Sequence, residues 1–451
     1  MDMPSAITVG RGRAVAQVAV DAHEGRCRVL ASEFSARECP EEDAGAMLVH
    51  AQFIGFCAAR DQEAAGAVAA AFEREYCSAG SVLRAVEQLP GDEARAVLQG
   101  YYAGWAATER RVALPRALGV FGGGLGCARG AECLAALRET VRVFGPLVAE
   151  YFDALGAFLV RETQDAYIAH IYAPGLDVCG WVARPESAPP AAYLDSEPVA
   201  LPLLGLAQLL RLAALGRAAG LPLGGLSKQL DAVAGHSHGV VVAAAVAAAG
   251  DSDASFIAAS QAALGMLLLF GCLPQLVSPQ AAVHPRAAAD CAAVEGPPTP
   301  MMVVTGVPRQ VVEAVLDKYN KHVKDDPEAQ VYLAAAETDV QFVLSGSARA
   351  LAQVAMNVRR RVAAPGEDQS RVPFLERKPE AVVRFVPSLA PLHCAHMAVV
   401  VDRHLAYAAE KGWAFDPAAM AVPVRDPSDG SDIRACTDAA SATRRLVEAV
   451  Y

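Results

Sequence analysis

The sequence predicts an α/β protein: a mostly parallel sheet covered by helices, a smaller βαββαβ unit set into it, and a helical segment ahead of both. Three observations predict it. Residues 231–250, DAVAGHSHGVVVAAAVAAAG, place a Gly-x-Ser-x-Gly pentapeptide between a strand-like apolar run and an alanine-rich helix-like run, the strand-turn-helix context of a nucleophile elbow. Strand-like and helix-like stretches alternate from residue 116 onward, which favours a parallel sheet with helices on both faces. From Gly296 to Gly366 and on to residue 388 the pattern changes to short apolar runs interleaved with two amphipathic helices.

Residues 1–115 mix short apolar runs with helical periodicity, as in EDAGAMLVHAQFIGFCAA and EARAVLQGYYAGWAATERR, and read as a mainly helical N-terminal cap. Residues 116–296 form the first part of the core. There RALGVFGGGLG reads as a buried strand entering a glycine-rich turn, and helical stretches around 131–171 and 202–219 precede the elbow. Residues 297–388 read as a ferredoxin-like unit. MMVVTG is a strand, and PRQVVEAVLDKYNKHV a helix with Val311, Val312, Val315, Leu316 and Tyr319 on one face. QVYLAAA and VQFVLSG are strands, ARALAQVAMNVRRR a second helix and VVRFVPS a last strand. Residues 389–451 return to the core and supply the C-terminal segment.

Composition narrows the function. With 451 residues, 53% hydrophobic and 20% charged, the chain can bury a large core. A formal net charge of -11 argues against nucleic acid as a partner, because displacing counterions from a phosphate backbone needs a basic surface. Eleven cysteines with no C-x-x-C pair indicate neither a disulfide framework nor a zinc site, and fit reduced thiols in the cytoplasm. A metal site joining His236, His238, His393 and His396 has the H-x-H and H-x-x-H spacings but no supporting acidic or thiol ligand, so no metal is expected. The apolar runs near 240–249 and 262–273 are too short for a membrane span and read as buried helices.

The chemistry centres on Ser237. The elbow holds its nucleophile on a strained turn, and the helix N-terminus behind it supplies free backbone N–H groups, that of His238 among them, to stabilise an oxyanion. A serine hydroxyl needs a base, and His393, 156 positions later, follows the serine-before-histidine order of elbow enzymes. His236 and His238 flank the serine, but a tight elbow is expected to point neighbouring side chains away from it, leaving His236 to support the turn.

Five blocks then carry a resemblance. They are LPLLGLAQLLRLAALGRAAGLPLGGLSKQLDAVAGHSHG, PTPMMVV, VQFVLSG, DQSRVPFLERKPEAVVRFVPSLAPLHCAHM and VPVRDPSDGSDIR. In that order they resemble the acetyltransferase domain at the N-terminus of fungal-type fatty acid synthase β-subunits. The resemblance implies an α/β-hydrolase-like acyltransferase core with an inserted ferredoxin-like subdomain. It implies a Ser-His pair, here Ser237 and His393, that moves an acyl group from coenzyme A to the serine and then to the phosphopantetheine thiol of an acyl carrier protein, with no permanently bound cofactor. Other fatty acid synthase domains are then expected partners. The chain departs from that family's usual pattern at His238, where Gln is usual, at Cys394, where Ser is usual, and at FGGGLG, residues 121–126, where FGGQG is usual. Gly124 or Leu125 therefore takes the place of the second oxyanion donor.

Related malonyl transferases pair the malonyl carboxylate with an arginine on the helix beside the serine. This chain has no Lys or Arg between Lys228 and Arg286, and Phe270 stands at the equivalent position. The expected acyl pocket is apolar, and the expected acyl donor is acetyl-CoA or another uncharged monocarboxylic acyl-CoA. Arg359, Arg360, Arg361, Arg371, Arg377 and Lys378 are candidates for phosphates of coenzyme A or the carrier. Three other readings stay open. One is a starter-unit acyltransferase of an iterative polyketide synthase, which commonly has a cysteine nucleophile. Another is an α/β-hydrolase thioesterase, with Asp339 or Asp368 orienting the histidine in place of the backbone carbonyl near Asp426-Pro427 that the transferase family uses. A non-catalytic acyltransferase fold is a third, motivated by the altered glycine turn.

Overall fold

The computed structural model describes residues 6–11, 13–37, 44–77, 82–86, 89, 91–107, 117–123, 129–218, 221–250, 252–277, 282–363, 366–373 and 376–451. Three apolar cores organise these residues.

The first unit opens with an antiparallel hairpin, β1 (Ala6–Arg11) and β2 (Ala14–Ala19), inside the segment that reads from sequence as mainly helical. Its AITVGR strand alternates, burying Ile7 and Val9 and exposing their neighbours, and a period of two fits a pleated strand. Helices α1 (Glu24–Arg37), α2 (Ala46–Ala58), α3 (Gln62–Tyr76), α4 (Val82–Ala85) and α5 (Gly91–Ala107) follow. Phe34, Phe53, Phe56 and Phe72 fill their shared interior. Val143 of α6 (Gly130–Glu162) reaches into this core and ties it to the next unit.

The α/β unit carries a three-stranded parallel sheet in the order β3 (Ala117–Phe121), β4 (Leu230–Gly235), β9 (Val424–Arg425). Helix α10 (Gly239–Ala247) is buried at every residue and packs against all three strands. Around it stand α9 (Glu197–Ala218) and α11 (Asp253–Val277), with α7 (Val178–Ala183), α8 (Ala191–Leu194) and α12 (Pro285–Ala292) in the connections. Contrary to the expectation of a buried strand between covered faces, β3 is an edge strand that exposes Leu118 at 58% and Val120 at 68%. Among the described residues it pairs with β4 alone, and no described element covers the face that carries Leu118 and Val120. α9 and α11 are long and apolar enough to span a bilayer, longer than the apolar runs read from sequence. Both are core helices, with 67% and 78% of their apolar windows buried.

The third unit follows the order β5 (Met301–Thr305), α13 (Arg309–His322), β6 (Tyr332–Thr338), β7 (Gln341–Ser345), α14 (Ala348–Arg359), β8 (Val382–Val386), and its antiparallel sheet runs β6-β7-β5-β8. Alternation splits the sheet's side chains between two interiors. Met302, Val304, Phe342 and Leu344 pack under α13 and α14, while Met301, Val303 and Val343 face the α/β unit. The chain then returns through α15 (Ala398–Lys411), β9 and α16 (Ala439–Glu448). A cleft is left between the C-terminal end of β4 and the inner face of the four-stranded sheet.

Candidate active site

Ser237 stands in the turn between β4 and α10 with φ 51°, and His393, just beyond the Pro391-Leu392 approach to α15, has φ 56°. A left-handed backbone is uncommon at a residue with a side chain and is held only where the surroundings enforce it. The packing of the elbow does so. A Cβ on Gly235 would meet the Gly239 carbonyl and the Val240 nitrogen, and one on Gly239 would meet the carbonyl of Phe121. Both glycines are thus required by close approach, and the His236 N–H donates to Phe121 O at 2.9 Å to fix the turn to β3. Gln208 Nε2, which the sequence reading passed over, donates to Gly122 O at 3.0 Å and holds the glycine-rich turn.

The two strained residues meet. Ser237 Oγ lies 2.9 Å from His393 Nε2, within the reach a general base needs. Burial pushes the His393 pKa down to about 4, with His236 adding to the effect, so the imidazole is neutral and able to accept a proton over the physiological range. The expected orienting carbonyl near Asp426-Pro427 makes no hydrogen bond to His393; the Asp426 carbonyl instead accepts from Gly430 N at 2.9 Å, while its carboxylate accepts from Ser428 N and pairs with Arg445. Among the described residues no carboxylate is bonded to His393 either. Asp368 is exposed and accepts from Ser370 N, so it is no orienting acid.

His238 departs from expectation. Its ring turns toward the serine, with Nδ1 3.2 Å from Ser237 Oγ, because the turn places it as the N-cap of α10 over a pocket of aromatic rings. Phe270 lies 5.5 Å from it, ring centre to ring centre, and packs in turn on His404 and Tyr451. Phe270 therefore backs His238 and lines neither cavity of the cleft. Among the described residues no acceptor takes the His238 backbone N–H. Gly124 and Leu125, the other expected donors, lie outside the described residues.

Two adjoining cavities form the cleft and share Val303 and Val386. One, of about 760 Å³, holds Ser237 and His393 between Gly122, Gly123, Ala335 and Val343, and among the described residues no Lys or Arg lines it. His236, expected to support the turn, instead reaches across this cavity to Glu337 of β6 at 3.2 Å. The other, of about 650 Å³, reaches His238 and Leu392 and is lined by Arg129 and Arg384 together with Glu132, Asp195 and Glu197. These charges were missed because they come from three distant stretches of sequence. Glu197 is partly buried, and the desolvation of its carboxyl raises its pKa to about 7 even though Ser388 Oγ and Leu389 N both donate to it.

None of the six proposed phosphate-binding cations lines either cavity. Arg359 pairs through two nitrogens with the buried carboxylate of Glu295, and Arg377 donates to Val372 O and Ser370 O. Arg359→Ala would strand that carboxylate without its cation. It is expected to cost ~3–5 kcal/mol of stability in a denaturant titration while the acyl-CoA KM stays within about twofold; a raised KM with intact stability would give Arg359 back its ligand role.

Residues 131–378 match the family described as starter unit:ACP transacylase in aflatoxin biosynthesis. The fatty acid synthase subunit beta of Schizosaccharomyces pombe is 36% identical over 301 residues, covering 66% of this chain and 14% of that protein. The Saccharomyces cerevisiae subunit is 29% identical over 325 residues, covering 71% and 15%. The fatty acid synthase beta subunit aflB of Emericella nidulans is 33% identical over 261 residues, covering 57% and 12%. An acyl-carrier-protein S-malonyltransferase from Burkholderia pseudomallei superposes with a TM-score of 0.44 at 18% identity, covering 74% of this chain and 80% of that one. The chain spans about one seventh of the length of its curated relatives. More than half of it falls within the matched domain, and the chain belongs to the starter unit:ACP transacylase family.

Proposed function

We propose that this chain is an acyltransferase that takes an acetyl or other uncharged monocarboxylic acyl group from coenzyme A, carries it on Ser237 and delivers it to the phosphopantetheine thiol of an acyl carrier protein, priming fatty acid synthesis in the cytoplasm. The observation that carries the reading is the 2.9 Å approach of Ser237 Oγ to His393 Nε2, with both residues in left-handed backbone. His393 takes the serine proton as Oγ attacks the thioester carbonyl. The oxyanion collapses, the carbon–sulfur bond breaks, and the proton passes to the departing thiolate of coenzyme A. The second half runs in reverse, with His393 accepting the proton of the carrier thiol and returning it to Ser237. The His238 backbone N–H is the described oxyanion donor in this scheme.

The same reading takes the four-stranded unit as an inserted ferredoxin-like subdomain on an α/β-hydrolase-like core. Transfer is favoured over hydrolysis because no carboxylate orients His393 as it would in a thioesterase triad. An uncharged acyl group is favoured because a buried malonyl carboxylate needs a cationic partner. Among the described residues, the charged group of the Ser237 cavity besides histidine is Glu337, and in the neighbouring cavity Arg129 and Arg384 share the lining with three carboxyl groups.

Brief incubation with an equimolar mixture of acetyl-, butyryl- and malonyl-CoA, followed by intact mass spectrometry, tests this. The expected product is a single acetyl or butyryl adduct located on Ser237 by peptide mapping. A malonyl adduct would overturn the acyl class, and no adduct at all would overturn the transferase reading.

A further inference from the structure

The elbow gives Ser237 two imidazole neighbours, and its hydroxyl has one proton. If that proton points at His393 Nε2, 2.9 Å away, the contact of 3.2 Å with His238 Nδ1 sets two lone pairs against each other unless Nδ1 carries hydrogen. His238 is 2% exposed, and burial holds its pKa at about 3, so the ring stays neutral with a single N–H. Its other nitrogen, Nε2, is buried and has no hydrogen-bond partner among the described residues. One tautomer satisfies the Ser237 contact, and it leaves Nε2 as the bare nitrogen.

We infer that the His238 side chain, through Nδ1–H, is a catalytic donor to the acyl oxygen, acting beside its own backbone N–H when the tetrahedral intermediate forms on Ser237. The carbonyl oxygen of an acyl group on Oγ is separated from Oγ by a single carbon. A donor 3.2 Å from Oγ therefore reaches that oxygen with a small shift. Before attack the N–H rests on Oγ. As the Oγ–carbon bond forms, negative charge gathers on the acyl oxygen, and the N–H transfers its hydrogen bond there. Phe270 packs against the ring, and this contact keeps the donor aimed. No proton leaves His238 in the cycle: the serine proton goes to His393 and then to the departing thiolate.

The inference rests on Ser237 being the nucleophile, and its test separates the two. Single-turnover acylation by acetyl-CoA is measured in the full chain carrying His238→Asn, whose side-chain amide can place an N–H close to Nδ1, and His238→Leu, which has none. His238→Leu is expected to slow acylation by about 10²–10³-fold with KM changed less than about threefold, and His238→Asn to stay within about tenfold of the wild type. Equal loss in both variants, or no loss in folded His238→Leu, overturns the inference. Should His238→Leu fail to fold, ¹⁵N NMR of the histidine-labelled wild type, assigned with His238→Asn, reads the tautomer directly. Hydrogen on Nδ1 supports the inference and hydrogen on Nε2 overturns it. If Ser237→Ala still labels, the nucleophile assignment fails, whatever His238 does.

Discussion

Ser237→Ala and His393→Ala are each expected to lower kcat for acyl transfer by about 10⁴–10⁶-fold, and the double variant to be no slower than the weaker single. The non-additivity is the informative part. A base acts only through the hydroxyl it deprotonates, so once Oγ is gone the imidazole 2.9 Å away has nothing to do. Removing His393 first leaves an unactivated alcohol, and the same step is lost. Residual turnover in all three variants should be alike, since it draws on oxyanion donation and substrate positioning alone. Stopped-flow acylation with acetyl-CoA, with thermal melts confirming that each variant is folded, measures the cycle. If the two losses multiplied, Ser237 and His393 would be acting independently and the pair would not be a dyad.

Acidification is expected to unfold the protein well above pH 4. Burial lowers four histidines far below their usual 6.5: His50 and His393 to about 4, His238 and His404 to about 3. Because the folded-state values are depressed, the unfolded chain binds more protons between pH 6.5 and those values. The stability these neutral rings contribute is therefore complete above about 6.5 and drains away as pH falls. At ~1.4 kcal/mol per pH unit, each site accounts for up to about 3–5 kcal/mol, and half that from four sites rivals the ~5–15 kcal/mol net stability of a folded domain. Glu197 works the other way. Its pKa, raised to about 7, gives stability below its unfolded value of 4.5 that is lost as pH rises through 7. One carboxyl against four imidazoles leaves the optimum near neutrality. Urea titrations from pH 7.5 to 5 should show the midpoint level or slightly rising down to about pH 6.5 and falling below it, and acyl transfer should disappear with the fold and not before it. His50→Leu, in the first unit and remote from Ser237, should flatten that slope while sparing the chemistry. A midpoint unchanged to pH 5 would contradict the neutral, buried assignment of these rings.

Legibility in the sequence followed how locally each feature is determined. The elbow was readable because Gly235, Ser237 and Gly239 sit within five residues and the strand and helix on either side have distinct periods. MMVVT, QFVLS and VVRFV were readable as strands for a similar reason: short β-branched runs bounded by turn residues have few alternatives. What depended on distant packing was not. Leu118 and Val120 share one face of β3, and no local pattern reports whether an element from elsewhere in the chain covers that face. The hairpin of residues 6–19 was hidden because its second strand, AVAQVA, is as compatible with helix as with strand until its partner is known. His238 was misjudged from a rule about elbows in general, whereas its rotamer is set by the aromatic pocket of Phe270, His404 and Tyr451 contributed from residues far along the chain. Arg359 looked like an anion binder until Glu295, 64 positions away, was found beneath it.

The two walls of the cleft answer to different masters. Its floor, the Ser237 turn, is welded to a helix with no solvent-facing residue, so almost any change there disturbs the deepest packing of the protein. Its ceiling is a sheet whose opposite side rests on an interior of its own. Val303, Ala335 and Val386, only partly buried, line the Ser237 cavity from that ceiling, whereas Val343 is locked into the main core. Changes at those three positions would reshape the cavity from above while leaving the Ser237 turn below untouched.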